Sequence, residues 1–335
     1  MELTPLRYFV EIATQGHVTR AARALGVTQP ALSAMLRKLE AELGVALLHR
    51  TGKGVALTEA GHVFLRHAQA AVREADDAQR AVRELMGLER GTVRIGGGAT
   101  ATTYLIPSVV GAMRKAHPGL TFAVREAGSS AVAQAVASGE LDLGIVTLPI
   151  TVPDSQVLIK TPLVTDELRL IAPPNSRLLP PVLRDEHESV EPTFRFKDLA
   201  GVPIIGFEAG SAVRLLIDDA AAKAGIALKY VMELRSIEGI KEMVAAEIGV
   251  AFVSRFALRG LRDKASDKAS DKASDKAKAL GTDTRFQGFA PKGSVLTRTL
   301  AMVTRHDRHS SPAASAFADE LTRQLRTLPS KGPRR

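Results

Sequence analysis

Residues 18–43 read VTRAARALGVTQPALSAMLRKLEAEL, and their spacing describes two short helices joined by a tight turn. Ala21, Leu25, Val27, Leu32 and Met35 fall where two steeply crossed helices must touch, and Ala22 is small enough to let them approach. Gly26 stands where the first helix must end and the chain reverse, a place that favours a residue tolerant of positive φ. Thr28 offers an N-cap hydroxyl, and Pro30 falls in the first helical turn, where its missing N–H costs little. The second helix turns Leu32, Met35 or Leu36, Leu39 and Leu43 inward. Its opposite face presents Gln29, Ser33 and Arg37, four residues apart and so one above another. Such a stripe suits a DNA major groove, since Gln and Arg form paired hydrogen bonds with base edges and Ser bonds either base or phosphate. The alternative is an ordinary helical hairpin with a solvated polar face.

The next residues favour the groove. LLHRTGKGVALT, 47–58, reads as two short strands about a Thr-Gly-Lys-Gly turn, with Arg50 at the base and Lys53 at the tip. A β-hairpin directly after a helix-turn-helix makes a winged helix, and its basic residues reach phosphates or the minor groove. Thr58 then caps a helix expected from Glu59 to about Gly87, without proline. Leu65, Ala68, Val72, Ala75, Val82 and Met86 follow a coiled-coil-like pattern broken by Gln79. At ~1.5 Å per residue that helix spans roughly 40 Å. Leu65, Val72, Val82 and Met86 are therefore expected to form a dimerisation seam that spaces two winged helices on a two-fold-symmetric site. A helix folded back on its own chain is the alternative.

Composition bounds the rest. The 335 residues leave room for two or three domains, and 24% charged with 45% hydrophobic residues is the balance of a soluble globular chain. The net charge of +9 fits a nucleic-acid partner, but residues 1–62 hold only seven Lys and Arg against five Asp and Glu. Placement of charge thus says more than its total. The absence of cysteine excludes disulfides, thiol redox sensing and Cys-ligated metal sites. No basic-then-apolar leader opens the sequence, and the longest uncharged run, 95–113, is broken by Gly96-Gly97-Gly98 and Pro107. A cytoplasmic protein without membrane contact is expected.

The remaining two thirds alternates strand and helix, which indicates a parallel α/β architecture in two lobes with ligands at the carboxyl ends of the strands. Gly96, Gly98 and Ala101 satisfy G-x-G-x-x-A after a strand, and Glu126 ends the next one, as in an NAD-type dinucleotide-binding enzyme. Pro107 argues against it by delaying the helix beyond the glycines, and no His, Lys or Tyr nearby is recognisable as a hydride-transfer partner. A polar loop leading to a helix N-terminus, where free N–H groups attract an anion, is the more ordinary use.

The motifs T-R-A-A-x-x-L (Thr19–Leu25), Q-P-A-L-S (Gln29–Ser33), L-E-x-E-L-G (Leu39–Gly44), L-L-x-R (Leu47–Arg50) and L-T-E-A-G (Leu57–Gly61) resemble the N-terminal domain of LysR-type transcriptional regulators. Thr28 stands where that family often has Ser, and Leu48 where Phe is common. G-E-L-D-L-G-I at 139–145, D-L-A-G-x-P at 198–203 and G-V-A-F at 249–252 resemble its effector-binding domain, which is similar to periplasmic solute-binding proteins.

The resemblance implies a winged helix-turn-helix over 1–58 and a linker helix over 59–89. It implies a first effector-domain lobe over 90–165 and 302–330, and a second over 166–301, joined by crossovers at Asp166–Ala172 and Thr299–Arg305. It further implies a non-enzyme without cofactor or metal, a homodimer or homotetramer that binds an interrupted inverted repeat in double-stranded DNA through Thr28, Gln29, Pro30, Ser33, Arg37, Arg50 and Lys53. RNA polymerase and a small-molecule effector are the other implied partners. By position, Thr100, Ser129 and Thr147 face Phe207 and Ser211 across the effector pocket, although each hydroxyl would serve equally well as a helix cap. A domain that only oligomerises is the alternative for this region.

Two stretches depart from the family pattern. Leu179–Phe196, rich in Pro and charge, is expected as a surface loop. DKASDKASDKASDKA at 263–277 is expected as a partly helical, solvated insertion.

Overall fold

The computed structural model describes residues 2–326 except 53, 85–90, 154, 185–191, 259–282, 284, 294, 308 and 309. Lys53, Met86 and the Asp-Lys-Ala-Ser repeat lie outside the described residues. The chain divides into two compact units, Met1–Gly91 and, residues 138–140 apart, Thr92 onward.

The first unit contains α1 (Leu3–Gln15), α2 (Val18–Ala24), α3 (Gln29–Leu43), the hairpin β1 (Leu48–Thr51) and β2 (Gly54–Leu57), and α4 (Glu59–Glu84). Thr28 caps α3, its Oγ1 accepting the Ala31 N–H at 3.4 Å, and Gly26 takes φ +66° in the turn before it. Ile12, Ala21, Ala22 and Leu32 are buried together, with Leu25, Val27 and Val55 against them, so the α2–α3 crossing closes as its spacing requires. Leu36, rather than Met35, takes the inward place on α3. Gly54 lets the wing dock on the α1–α2 turn. A Cβ there would lie 2.3 Å from the Gly16 carbonyl oxygen, which accepts the Val55 N–H at 3.0 Å.

A second cluster changes the reading of the long helix. Leu6, Phe9, Leu39, Leu47 and Ala68 are buried together, and Leu65 and Val72 pack on them. Phe64 of α4 meets Phe9 edge-on at 5.3 Å between centroids, and Arg7 pairs with Asp76. Leu65 and Val72 are therefore partly covered by the cluster of their own chain, and each remains only half-buried. The sequence period could not distinguish α1 from a second copy of α4, since each demands the same apolar stripe.

The second unit is built on one sheet of order β4-β3-β5-β12-β6-β10-β8-β9, with β11 beside β6 and β7 beside β11. Its strands are β3 (Gly91–Gly97), β4 (Leu120–Glu126), β5 (Leu143–Leu148), β6 (Leu158–Ala172), β7 (Thr193–Phe194), β8 (Pro203–Phe207), β9 (Lys229–Leu234), β10 (Val250–Ser254), β11 (Gln287–Pro291) and β12 (Thr297–Arg305). Pairing is parallel between β3 and β5 and among β10, β8 and β9, but antiparallel wherever β6 or β12 takes part. The sheet is thus mixed, because two strands carry the chain between two parallel lobes. The 15-residue β6 pairs β12 along its first part and β10 and β11 along its second. The helices are α5 (Ile106–Ala116), α6 (Ser129–Ala137), α7 (Pro181–Arg184), α8 (Ala212–Lys223), α9 (Ile237–Ala245) and α10 (Pro312–Arg326).

Glycines set the layer spacing in the first lobe. A Cβ on Gly144 would lie 2.4 Å from Val132 of α6, and one on Gly96 2.4 Å from Leu141. The chain at Pro107 departs from expectation. A π-helical stretch, Ala101–Leu105, runs straight into α5, and the Ala101 N–H donates to the Gly98 carbonyl at 2.9 Å. The helical chain therefore starts at the glycines, and the wider π turn accommodates the proline's missing donor. The 179–196 stretch also departs from a simple surface loop. Leu179, Leu183, Phe194 and Phe196 are buried in the second lobe's core, where Phe196 stacks on Phe252 at 5.9 Å.

Candidate functional sites

In the first unit the polar stripe of α3 is formed as its spacing requires. Gln29, Pro30 and Arg37 are exposed and Ser33 is half-buried. The Gln29 side-chain amide donates to Ser33 Oγ at 3.0 Å. Thr28 is exposed at the N-terminal end of α3, and Arg50 is exposed on β1, the wing strand. Lys53 is not among the described residues.

Glu40, which sequence reasoning did not single out, and Thr58, which it expected as a cap, hold this face in place. Glu40, the first acid of L-E-x-E-L-G, turns its Oε1 to the backbone N–H groups of Leu47 and Leu48, at 2.8 and 3.2 Å. The carboxylate thus satisfies the donors where α3 hands the chain to the wing. Thr58 Oγ1 accepts the Gly61 N–H at 3.0 Å and donates to the Ala46 carbonyl at 2.8 Å, fixing the wing to the start of α4. On α4, Val82 remains 65% exposed, the one residue of the expected seam that its own chain leaves uncovered among those described.

In the second unit the five residues expected at a pocket line one cavity of about 670 Å³ between the lobes. Thr100, Ser129 and Thr147 contribute from the first lobe, and Phe207 and Ser211 from the second. Several of the hydroxyls are already engaged. Ser129 Oγ accepts the Thr147 N–H at 2.9 Å, and Ser211 Oγ caps α8 by accepting the Arg214 N–H at 3.3 Å. Capping and cavity lining therefore coincide at Ser211.

One buried residue that lines the cavity was passed over by the sequence reading. Arg298, its side chain 7% exposed, donates from Nη2 to Thr100 Oγ1 at 2.6 Å and from Nη1 to Thr147 Oγ1 at 3.4 Å. Its Nε donates to Asp166 Oδ2 at 2.8 Å, and Ser254 Oγ donates to Asp166 Oδ1 at 2.7 Å. The available signal was a lone arginine beginning the apolar run of β12, but the expected strand started one residue later, at Thr299. The lining also includes Glu126, which accepts from Thr102 Oγ1 at 2.6 Å, and Glu208, which pairs with Arg235 at 2.6 Å.

A separate contact joins the lobes. Tyr104, on the π-helical stretch, donates to Glu238 Oε1 of α9 at 2.5 Å. Burial and then the Glu238 carboxylate push the phenol's pKa up, so it stays protonated as the donor. Lys241 holds both Glu238, at 3.2 Å, and Asp283, at 3.1 Å. Burial opposes ionisation of Asp283, but Arg285 and Lys241 prevail and bring its pKa down to about 2. Among the described residues no cluster of His, Asp and Glu is arranged to hold a metal, and no helix is long and apolar enough to cross a membrane.

Comparison with known proteins identifies the family. A family model described as "Bacterial regulatory helix-turn-helix protein, lysR family" matches residues 3–62, and one described as "LysR substrate binding domain" matches 86–265. A "Probable RuBisCO transcriptional regulator" of Synechocystis is 32% identical over 98% of this chain and 87% of its own. One from Cyanophora paradoxa is 31% identical over 95% of this chain and 90% of its own. Among solved structures, full-length OxyR from Pseudomonas aeruginosa is similar at TM-score 0.65 and 23% identity, covering 99% of each chain. Full-length CbnR complexed with its target DNA is similar at TM-score 0.63 and 19% identity, covering 96% of this chain and 99% of that one. These relatives are regulators rather than enzymes, so Gly96 and Gly144 make room for packing and the dinucleotide reading falls.

Proposed function

The chain belongs to the LysR family of bacterial transcriptional regulators, which join a DNA-binding helix-turn-helix to an effector-binding domain, and from that premise we propose how this protein divides the work. The N-terminal end of α3 enters the major groove, where Gln29, Ser33 and Arg37 read base edges and Thr28 and Pro30 lie against the backbone. Arg50 and Lys53 of the wing contact phosphates. Two copies joined along α4, at Leu65, Val72 and Val82 with Met86 following in sequence, place two such helices on an interrupted inverted repeat, and two dimers make the tetramer. The protein works in the cytoplasm and needs no cofactor.

A small polar molecule entering the 670 Å³ cavity favours one closure of the lobes. That shift of population alters the spacing of the DNA-binding units and the engagement of RNA polymerase. The observation that carries the DNA assignment is the exposed Gln29–Ser33 pair, two groove-reading side chains bonded to each other at the start of a capped helix. The names of the relatives make a promoter of RuBisCO genes the first operator to try.

Gel-shift titration tests the assignment. Gln29→Ala should lose ~1–3 kcal/mol on the operator and little on random DNA. Arg50→Ala should weaken both and flatten the salt dependence. Equal losses on operator and random DNA for both variants would take α3 out of the groove.

A further inference from the structure

Arg298 is a buried cation opening on a cavity, and its partners connect that cavity to both lobes. On the β6–β12 ladder it lies directly opposite Asp166. Thr100 and Thr147 belong to the first lobe, and Ser254 belongs to β10 of the second, which pairs β6 just beyond Asp166. A continuous polar path, Thr100–Arg298–Asp166–Ser254, therefore crosses from one lobe to the other through the two strands that join them. The Nε and Nη2 groups are committed to Asp166 and Thr100, while Nη1 has only the 3.4 Å bond to Thr147 and carries two protons. One Nη1 donor is thus left for whatever fills the cavity.

Two helix starts on opposite walls add to its field. Ser130 and Ala131 lie in the first turn of the nine-residue α6, and Ala212 and Val213 in that of the twelve-residue α8, and all four line the cavity. First-turn N–H groups have no partner within their helix and carry the positive end of its dipole. Of the two acids that line it, Glu208 is matched by Arg235. Glu126 is the remaining negative charge; it is exposed and accepts from Thr102 Oγ1.

We propose that the cleft is built for an anion, that Arg298 receives the anion's carboxylate or phosphoryl oxygen, and that Asp166 is the internal competitor the anion must outbid. Because Asp166 is also held by Ser254, drawing Arg298 toward the ligand loosens the Asp166 bridge at the crossover strands and so reports occupancy to the second lobe. The proposal rests on the reading of the cavity as the effector cleft.

The test uses full-length protein and two probes, inorganic phosphate and malonate, against chloride at matched ionic strength, with glycerol and acetamide as neutral controls. Affinity is read by calorimetric titration and by melting temperature. Phosphate or malonate should bind wild type and raise its melting temperature, and Arg298→Met should weaken that binding by about tenfold or more. Arg298→Lys keeps the charge beside Asp166, so it folds where the methionine variant fails, and it should bind several-fold more weakly than wild type because the planar fork is lost. Asp166→Asn removes the competitor and should bind several-fold more tightly.

The two probes separate the sources of the oxygen: phosphate preferred indicates a phosphoryl group, malonate a carboxylate. Anion binding unchanged in both Arg298 variants would overturn the proposal. Glycerol or acetamide raising wild type and Arg298→Met alike would defeat the anion assignment but keep the cleft. Response to none of the four probes, with operator binding intact, would remove the cleft reading as well.

Discussion

Gly61 offers a perturbation for which helix propensity and packing give opposite signs. It lies in the first turn of α4, where alanine alone would favour the helix by ~0.8–1 kcal/mol. Yet a Cβ at Gly61 would stand 2.0 Å from the Leu47 carbonyl oxygen and 3.1 Å from the Leu57 side chain. Leu47 is fully buried in the cluster formed by α1, α3 and α4, and its carbonyl accepts the Thr58 N–H at 2.9 Å. Relief of the clash needs more than 1 Å of backbone movement, since such contacts below 3.0 Å are essentially never seen. Overpacking costs ~1–3 kcal/mol and loss of the Thr58 bond ~0.5–1.5 kcal/mol.

Against the propensity gain, Gly61→Ala should be net destabilising by about 1–3 kcal/mol locally. Amide exchange over 47–61 in the full chain reads that quantity without assuming two-state unfolding, which two units do not guarantee. Protection should fall by about 5- to 150-fold, the free-energy loss converted at RT ≈ 0.59 kcal/mol. Protection that rises about fivefold would show that propensity governs the site and that Gly61 is not there to let the wing approach.

Two further perturbations bear on other links. Val82→Asp puts a charge on the exposed apolar residue of α4, and it should shift sedimentation toward smaller species while α1–α3 stay folded; an unchanged oligomer would place the interface elsewhere. Asp283→Asn tests the second-lobe ion cluster that backs the Tyr104–Glu238 contact. The folded pKa of Asp283 lies below its ordinary 3.8, at about 2, so its contribution is present in full above that ordinary value and is lost as pH falls toward 2. The variant should melt lower than wild type at pH 7, with the gap closing between about pH 4 and pH 2; a gap independent of pH would mean the carboxylate is not the stabilising species.

The helix-turn-helix was legible because its requirements are local. Gly26, Thr28, Leu32 and the Gln29/Ser33 stripe each meet a backbone or packing demand within a few residues. The five cavity residues came from the family resemblance, which placed them by position, and all five line one cavity. Arg298 was not, because its meaning lies in Asp166, 132 residues earlier in sequence, and in two threonines on neighbouring elements. For Leu65 and Val72 the apolar stripe was legible but the packing of α1 on it was not. An apolar stripe records that a helix must be covered, while which surface covers it depends on where α1 folds. Pro107 misled because a π turn can absorb what a regular α-helix cannot.

The central claim is that α3 reads sequence in a two-fold arrangement, and selection from random duplex DNA by full-length protein tests it most directly. Wild type should enrich two related half-sites in inverted order at a fixed spacing, and Gln29→Ala should lose its preference at the same base pair of each half. Enrichment of no common sequence, or a single unpaired site retained unchanged by Gln29→Ala, would contradict the account.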